Sequence, residues 1–190
     1  MPKHLTEAQV AGYRRDGYCF PLRAMPAEEA RRYRQRLEAY ERTTGEPIHS
    51  NYRHKVHLLF TWANELVHHP AILDAVEDVL GPNLLCWTTN FFIKEAGTPD
   101  FVSWHRDAAY WGLSSDEVVT AWVALSDAPV ESGAMKFWPG SHLREQIEHR
   151  DTFHEHNLLS RGQEIAVEVP AEEGVLVPLQ AGEFSLHHVK

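Results

Sequence analysis

The sequence predicts a mainly β protein with α: a helical N-terminal layer packed on a C-terminal core of antiparallel strands. Three observations predict it. Residues 1–83 carry helix caps, acidic first turns and apolar residues at helical spacing. After Gly81-Pro82-Asn83 the texture changes to short β-branched and aromatic runs separated by turn residues. A length of 190 residues with 43% hydrophobic content suits one domain with its own core, here expected over residues 1–190 with the helical layer at 1–83 and the β core at 84–190.

The elements follow in order. Leu5 to Asp16 reads as a first helix, with Thr6 and Gln9 as a capping box and Gly17 as its stop. Tyr18 to Leu22 reads as a short strand. Pro26 opens a second helix that runs to about Arg42, with Glu28 and Glu29 in its first turn. Asn64 to Leu80 forms a third, interrupted or restarted near Pro70, with an apolar stripe of Ile72, Leu73, Val76, Val79 and Leu80. Strands are expected at Leu84–Lys94, Phe101–Asp107, Val118–Leu125, Met135–Trp138, Ile165–Val169, Val175–Leu179 and Phe184–Val189. The polar stretch with His149, His154 and His156 reads as a surface loop. So many short strands point to a sandwich or barrel, and a double-stranded β-helix (jelly roll) is the natural candidate, because its strands deliver side chains into one open mouth.

Charge and cysteine content narrow the function. A formal net charge of −9 argues against nucleic acid, whose phosphates need a basic face. Cys19 and Cys86 make no disulfide framework and suit a reducing cytosol. The segment Met1-Pro2-Lys3-His4-Leu5-Thr6 has no apolar run of the signal-peptide kind, and no stretch reaches the length of a membrane span. The expectation is a cytoplasmic protein with a small-molecule substrate, no nucleic-acid partner and no membrane.

The stretch that carries chemistry is Trp104-His105-Arg106-Asp107. On a strand, His105 and Asp107 point one way and Arg106 the other. One imidazole and one carboxylate on one face can share a metal. A second histidine from elsewhere would complete the facial triad of non-heme Fe(II) oxygenases.

The neighbours of that motif add a resemblance. Phe91-Phe92-Ile93-Lys94, Trp104-His105-Arg106-Asp107 and Tyr110-Trp111-Gly112-Leu113 are followed by Thr120-Ala121-Trp122-Val123-Ala124-Leu125, Glu131-Ser132-Gly133 and Pro139-Gly140-Ser141-His142. With Leu158 to Gln163 and the helical opening from Leu5 to Tyr18, this order of pieces resembles the phytanoyl-CoA dioxygenase family of Fe(II)- and 2-oxoglutarate-dependent oxygenases.

The resemblance implies that His105 and Asp107 are catalytic iron ligands. It implies cosubstrate contacts from Lys55, Asn90 and Trp122. It implies Fe(II), 2-oxoglutarate and O2 as cofactor and cosubstrates, with 2-oxoglutarate decarboxylated as an unknown small organic substrate is hydroxylated. Asp107 stands where related halogenases carry a small residue, which implies hydroxylation rather than halogenation. Arg106 stands where the family often has Gln; it either adjusts substrate or cosubstrate contacts or points into solvent. Tyr110 and Trp111 either wall the substrate site or serve packing. The family's third ligand histidine is expected just past Lys190 and its 2-oxoglutarate-binding arginine further on, so the β core is expected to be incomplete at the C-terminus. On that register His188 lies near the pocket and His187 faces away; in a rearranged site, one of the two replaces the missing ligand. The alternative function is a non-catalytic jelly-roll binding module, or an inactive fragment.

Overall fold

α1 (Glu7–Asp16) begins as its capping box predicts: the Thr6 hydroxyl accepts the Gln9 N–H, and the Gln9 amide oxygen accepts the Thr6 N–H. Gly17 ends it at φ +86°, where a side chain would be strained, and a Cβ there would lie 2.5 Å from the His142 ring. The structure, a computed structural model, describes every residue except His49, Glu145 and Gln146; the side chains of Ser50, Asn51 and Tyr110 are likewise outside it.

β1 (Tyr18–Arg23) leads into α2 (Ala27–Thr44), which starts after Pro26 as expected. The expected third helix is two helices, α3 (Thr61–Val67) and α4 (Pro70–Leu80). Pro70 is the reason: it has no N–H for the ladder, and it pushes His69 into extended backbone at ψ 122°. Asp78 on α4 anchors the N-terminus, its carboxylate accepting the backbone N–H of Lys3, His4 and Leu5 at 2.7, 2.9 and 2.8 Å.

The C-terminal half contains a short helix α5 (Ala108–Trp111) and strands β2 (Val119–Val123), β3 (Met135–Phe137), β4 (His149–Asp151), β5 (Gln163–Ile165), β6 (Val175–Val177) and β7 (Glu183–His188). These strands pair antiparallel, in a sheet of order β1-β7-β2 and in the pairs β3-β6 and β4-β5. Mainly antiparallel sheets with helices are therefore what the sequence texture predicted. Among the described residues no helix is long and apolar enough to cross a membrane.

β7 runs between β1 and β2, and its two faces separate stability from function. Phe184 and Leu186, both fully buried, join Leu5, Val10 and Tyr13 of the N-terminal segment, Cys19 and Leu22 of β1 and Ala75 of α4 in one core. Burying each such side chain contributes about 1.5–3 kcal/mol. Ser185 and His187 alternate onto the opposite face, as do Thr120 and Trp122 on β2, their ladder partners being His187 and Ser185 respectively.

Three strand expectations need correction. Leu84–Lys94 is not a strand; among the described residues its one bridge joins Asn90 to His54. Strand formation needs a neighbour with a free ladder, and among the described residues the long-range backbone hydrogen bonds of this run go to the short segment of Arg53 and Val56. Phe101–Asp107 bridges Asn157 at Phe101 and then turns into α5. The strand expected at Ile165–Val169 lies earlier, at β5, because its partner β4 forms where a loop was expected and pairs His149 with Ile165.

Candidate metal centre

The segment that carries His105 is braced from both sides before the metal question arises. Phe101 takes a hydrogen bond from the Leu158 N–H and gives one to the His156 carbonyl; the Ile165 N–H donates to the Trp104 carbonyl. Asn157 donates to the Ser103 hydroxyl at 2.8 Å. The segment from His156 to Ile165, which includes the family-like stretch Leu158–Gln163, thus acts as a splint for the residues ahead of the motif.

His105 Nδ1 lies 2.8 Å from the Ser103 carbonyl. A carbonyl only accepts, so Nδ1 carries the proton and Nε2 is the nitrogen left for other work. Nε2 stands 3.3 Å from Asp107 Oδ1. About a quarter of each side chain is exposed, 26% and 23% respectively, so the pair sits in an accessible recess.

The route to this meeting differs from the expected one. Asp107 is not on a strand: its backbone is helical at φ −58° and ψ −42°, immediately before α5. The His-x-Asp side chains converge through a turn from extended to helical backbone. Arg106 does point away from the pair, but not into solvent. It is buried, its guanidinium donates to the Ser141 carbonyl at 2.6 Å, and its backbone N–H donates to His149 Nε2 at 3.0 Å.

The electrostatics express the pairing. Burial disfavours charge on His105, but the hydrogen bond and charge of Asp107 outweigh it and hold the imidazole pKa above its ordinary value. Burial likewise opposes ionisation of Asp107, and His105, His187 and Thr120 reverse that, leaving its carboxyl below the usual range. A free imidazole nitrogen and a carboxylate oxygen facing each other at 3.3 Å need a cation between them, either a proton or a metal ion. The donor set fits a divalent first-row metal: one imidazole nitrogen anchored through its other nitrogen on a carbonyl, and one carboxylate oxygen. Among the described residues, no group of three His, Cys, Asp or Glu side chains is arranged to hold a metal ion.

Two side chains that the motif does not include touch Asp107. The Thr120 hydroxyl donates to Oδ2 at 3.3 Å, and His187 Nε2 stands 4.0 Å from the same oxygen. Burial pushes the His187 pKa down to about 4, so its ring is neutral. The expectation for the two terminal histidines is reversed: His187 faces the centre, and His188 turns to the other side of β7, where its ring lies 5.2 Å from that of His142. The available signal was the alternation of β7, with apolar Phe184 and Leu186 fixing one face to the core and hence His187 to the other. Thr120 was equally findable, two residues before Trp122 on one strand face.

The remaining predicted site residues fall into two places. Trp122 lies on the same face of β2 as Thr120 and packs partly on Ala124, Val177 and Leu179. Lys55 and Asn90 belong to a different junction. Asn90 pairs with His54, its side-chain oxygen 2.8 Å from His54 Nδ1, and the Lys55 ammonium lies 5.4 Å over the Trp87 ring. Among the described residues no hydrogen bond or ion pair joins Lys55 or Asn90 to His105, Asp107 or Trp122. A hollow of about 460 Å³ opens beside α5, lined by Ala108, Trp111, Leu113, Val118 and Val189 and, on its polar side, by Ser114, Ser115, Asp116 and Lys190. Trp111 therefore lines a cavity; the Tyr110 side chain is outside the described residues.

The chain is similar to known proteins. The chain is 31% identical over 137 residues to a probable alpha-ketoglutarate-dependent hypophosphite dioxygenase of Stutzerimonas stutzeri, covering 70% of this chain and 47% of that protein. It is 27% identical over 148 residues to the L-proline trans-4-hydroxylase of Streptomyces griseoviridis, covering 72% and 55%. The chain thus spans about half the length of the curated relatives it matches. Among solved structures, the apo non-heme monooxygenase ThoJ superposes with a TM-score of 0.82 at 37% identity, over 95% of this chain and 68% of that one. The non-heme alpha-ketoglutarate-dependent carbocyclase SnoK from nogalamycin biosynthesis superposes at 0.74 and 27%, over 100% and 78%. With residues 13–190 matching its family description, the chain belongs to the phytanoyl-CoA dioxygenase (PhyH) family.

Proposed function

We propose that this chain carries the iron-holding part of a non-heme Fe(II)- and 2-oxoglutarate-dependent dioxygenase that hydroxylates a small organic molecule with O2. The observation that carries the reading is the convergence of His105 Nε2 and Asp107 Oδ1 to 3.3 Å, with the other nitrogen of His105 fixed on a carbonyl. His105 and Asp107 would hold the metal, and Trp122, on the adjoining strand face, would line the 2-oxoglutarate pocket. Lys55 and Asn90 would contact the cosubstrate from their own junction, where they meet Trp87 and His54. When bound, iron with 2-oxoglutarate supplies the oxidising power to replace a substrate C–H by C–OH, while 2-oxoglutarate becomes succinate and CO2. The chain's own part is to orient, to bind and to exclude water. The hollow beside α5, lined by both apolar side chains (Trp111, Leu113, Val118, Val189) and polar ones (Ser114, Ser115, Asp116, Lys190), suits a small organic substrate of mixed polarity.

The same reading takes residues 1–190 as a single domain, with a helical layer at 1–83 and a double-stranded β-helix core at 84–190, in a cytoplasmic protein. Support for the jelly roll comes from the antiparallel pairing and from the superposition on ThoJ and SnoK. The buried Cys19 and exposed Cys86, both free thiols, support a reducing compartment.

A second reading, a non-catalytic jelly-roll binding module, is favoured by one observation: among the described residues no third ligand joins His105 and Asp107. The two readings part on one experiment. Incubation with Fe(II), ascorbate, 2-oxoglutarate and a panel of small organic substrates should release succinate, and His105→Ala should abolish the release. If the whole protein that contains these residues releases no succinate above a metal-free control across the panel, the oxygenase reading fails.

A further inference from the structure

The two oxygens of Asp107 have different surroundings. Oδ1 faces His105 Nε2 at 3.3 Å. Oδ2 takes the Thr120 hydroxyl hydrogen bond at 3.3 Å, and His187 Nε2 stands 4.0 Å away from the same oxygen. Thr120 and His187 are direct partners in the β2–β7 ladder, so their side chains rise together from one face of the sheet. That ladder is anchored from its other face. The opposite face of β7 is locked in the core by Phe184 and Leu186, and Thr120 is flanked on β2 by Val119 and Ala121, which pack on that same core.

A carboxylate on a single rotatable stem can turn either oxygen, or both, toward a metal. Here one oxygen is held by a side-chain donor and walled by a ring. We propose that Thr120 is a positioning residue for the metal centre: its hydroxyl holds Asp107 Oδ2 against the sheet, His187 closes that oxygen off, and Asp107 offers the metal Oδ1 alone. The inference rests on the proposed metal reading of His105 and Asp107. It gives the Thr120-x-Trp122 pattern a second role, in which one strand face both orients the carboxylate and lines the pocket next to it. Such hydrogen-bonding partners of ligating groups typically change metal affinity 10–100-fold when removed.

Two measurements on the full chain test it. The first needs no metal. Thr120→Val, Asp107→Ala and the double variant are compared by urea unfolding. The two substitutions should be non-additive by about tenfold in the unfolding equilibrium constant, as for a hydrogen bond to a charged group. Additivity within about twofold overturns the proposal. The second measurement is Co(II) titration followed by the visible absorption of the bound ion. Thr120→Val should bind about tenfold more weakly or worse, with a shifted absorption band, and Thr120→Ser, which restores the hydroxyl, should return to within about threefold of the parent. Thr120→Val binding as tightly as the parent, or Thr120→Ser as weakly as Thr120→Val, overturns it. The two failures are distinguishable: Co(II) held no better by the parent than by Asp107→Ala removes the metal reading and the proposal with it, whereas an additive cycle removes the Thr120 bond alone.

Discussion

Leu186 and His187 are neighbours on β7 buried toward opposite faces: Leu186 lies in the helix-facing core, and His187 stands 4.0 Å from Asp107 Oδ2. One central strand therefore fastens the N-terminal layer with one side chain and walls the candidate metal centre with the next.

Leu186→Ala should destabilise the protein by about 2–5 kcal/mol, the cost of lost burial plus the cavity left in a tightly filled core. Urea unfolding checks it. A loss below about 1 kcal/mol would mean that the face of β7 toward α1 and α4 collapses easily around the vacancy.

Substitutions along the motif should separate by direction. His105→Ala and Asp107→Ala should each weaken Co(II) or Fe(II) binding by about 100-fold or more, Asp107→Ala losing the Thr120 hydrogen bond as well. Arg106→Met should act on stability instead. Its guanidinium is buried on the Ser141 carbonyl, so its loss should cost about 1–3 kcal/mol and leave metal affinity within a few-fold. Calorimetric metal titration paired with thermal melting reads both axes.

Asp78 should contribute to acid sensitivity. Burial raises its pKa, but hydrogen bonds from the N–H groups of Leu5, Lys3 and His4 prevail and lower it below the usual carboxylate value. The group therefore binds a proton more readily in the unfolded chain, and its stabilisation is present above the unfolded value of about 4 and lost as pH falls through the lower folded one. Asp78→Asn should lower stability at neutral pH and flatten that part of the pH–stability curve below about pH 4. Equal slopes for parent and variant in that window would refute the assignment.

Lys55 offers a split between structural and cosubstrate roles. Its ammonium over the Trp87 ring is an exposed contact, so Lys55→Met should cost no more than about 1 kcal/mol. If Lys55 also reaches 2-oxoglutarate, the apparent KM for that cosubstrate should rise about tenfold or more with melting temperature nearly unchanged, by loss of an ion-paired contact. An unchanged KM confines Lys55 to its place on Trp87.

Much of this protein was written locally. The Thr6–Gln9 capping box, the stop at Gly17, the break at Pro70 and the alternation of Phe184, Ser185, Leu186 and His187 are short-range steric and hydrogen-bonding signals, and each produced the element it announces. The pairing of His105 with Asp107 was legible too, because two residues apart they can meet in extended backbone or across a tight turn. What local signals could not decide was partnership. The apolar run from Leu84 to Lys94 has the composition of a strand, yet it finds one bridge at Asn90, whereas the polar segment at His149 becomes a strand because Ile165 lies beside it. Strand ladders, the bond between Thr120 and Asp107, and the side to which His187 turns all join residues distant in the chain. Their existence depends on which surfaces the folded core brings into contact, and only tertiary structure holds that information.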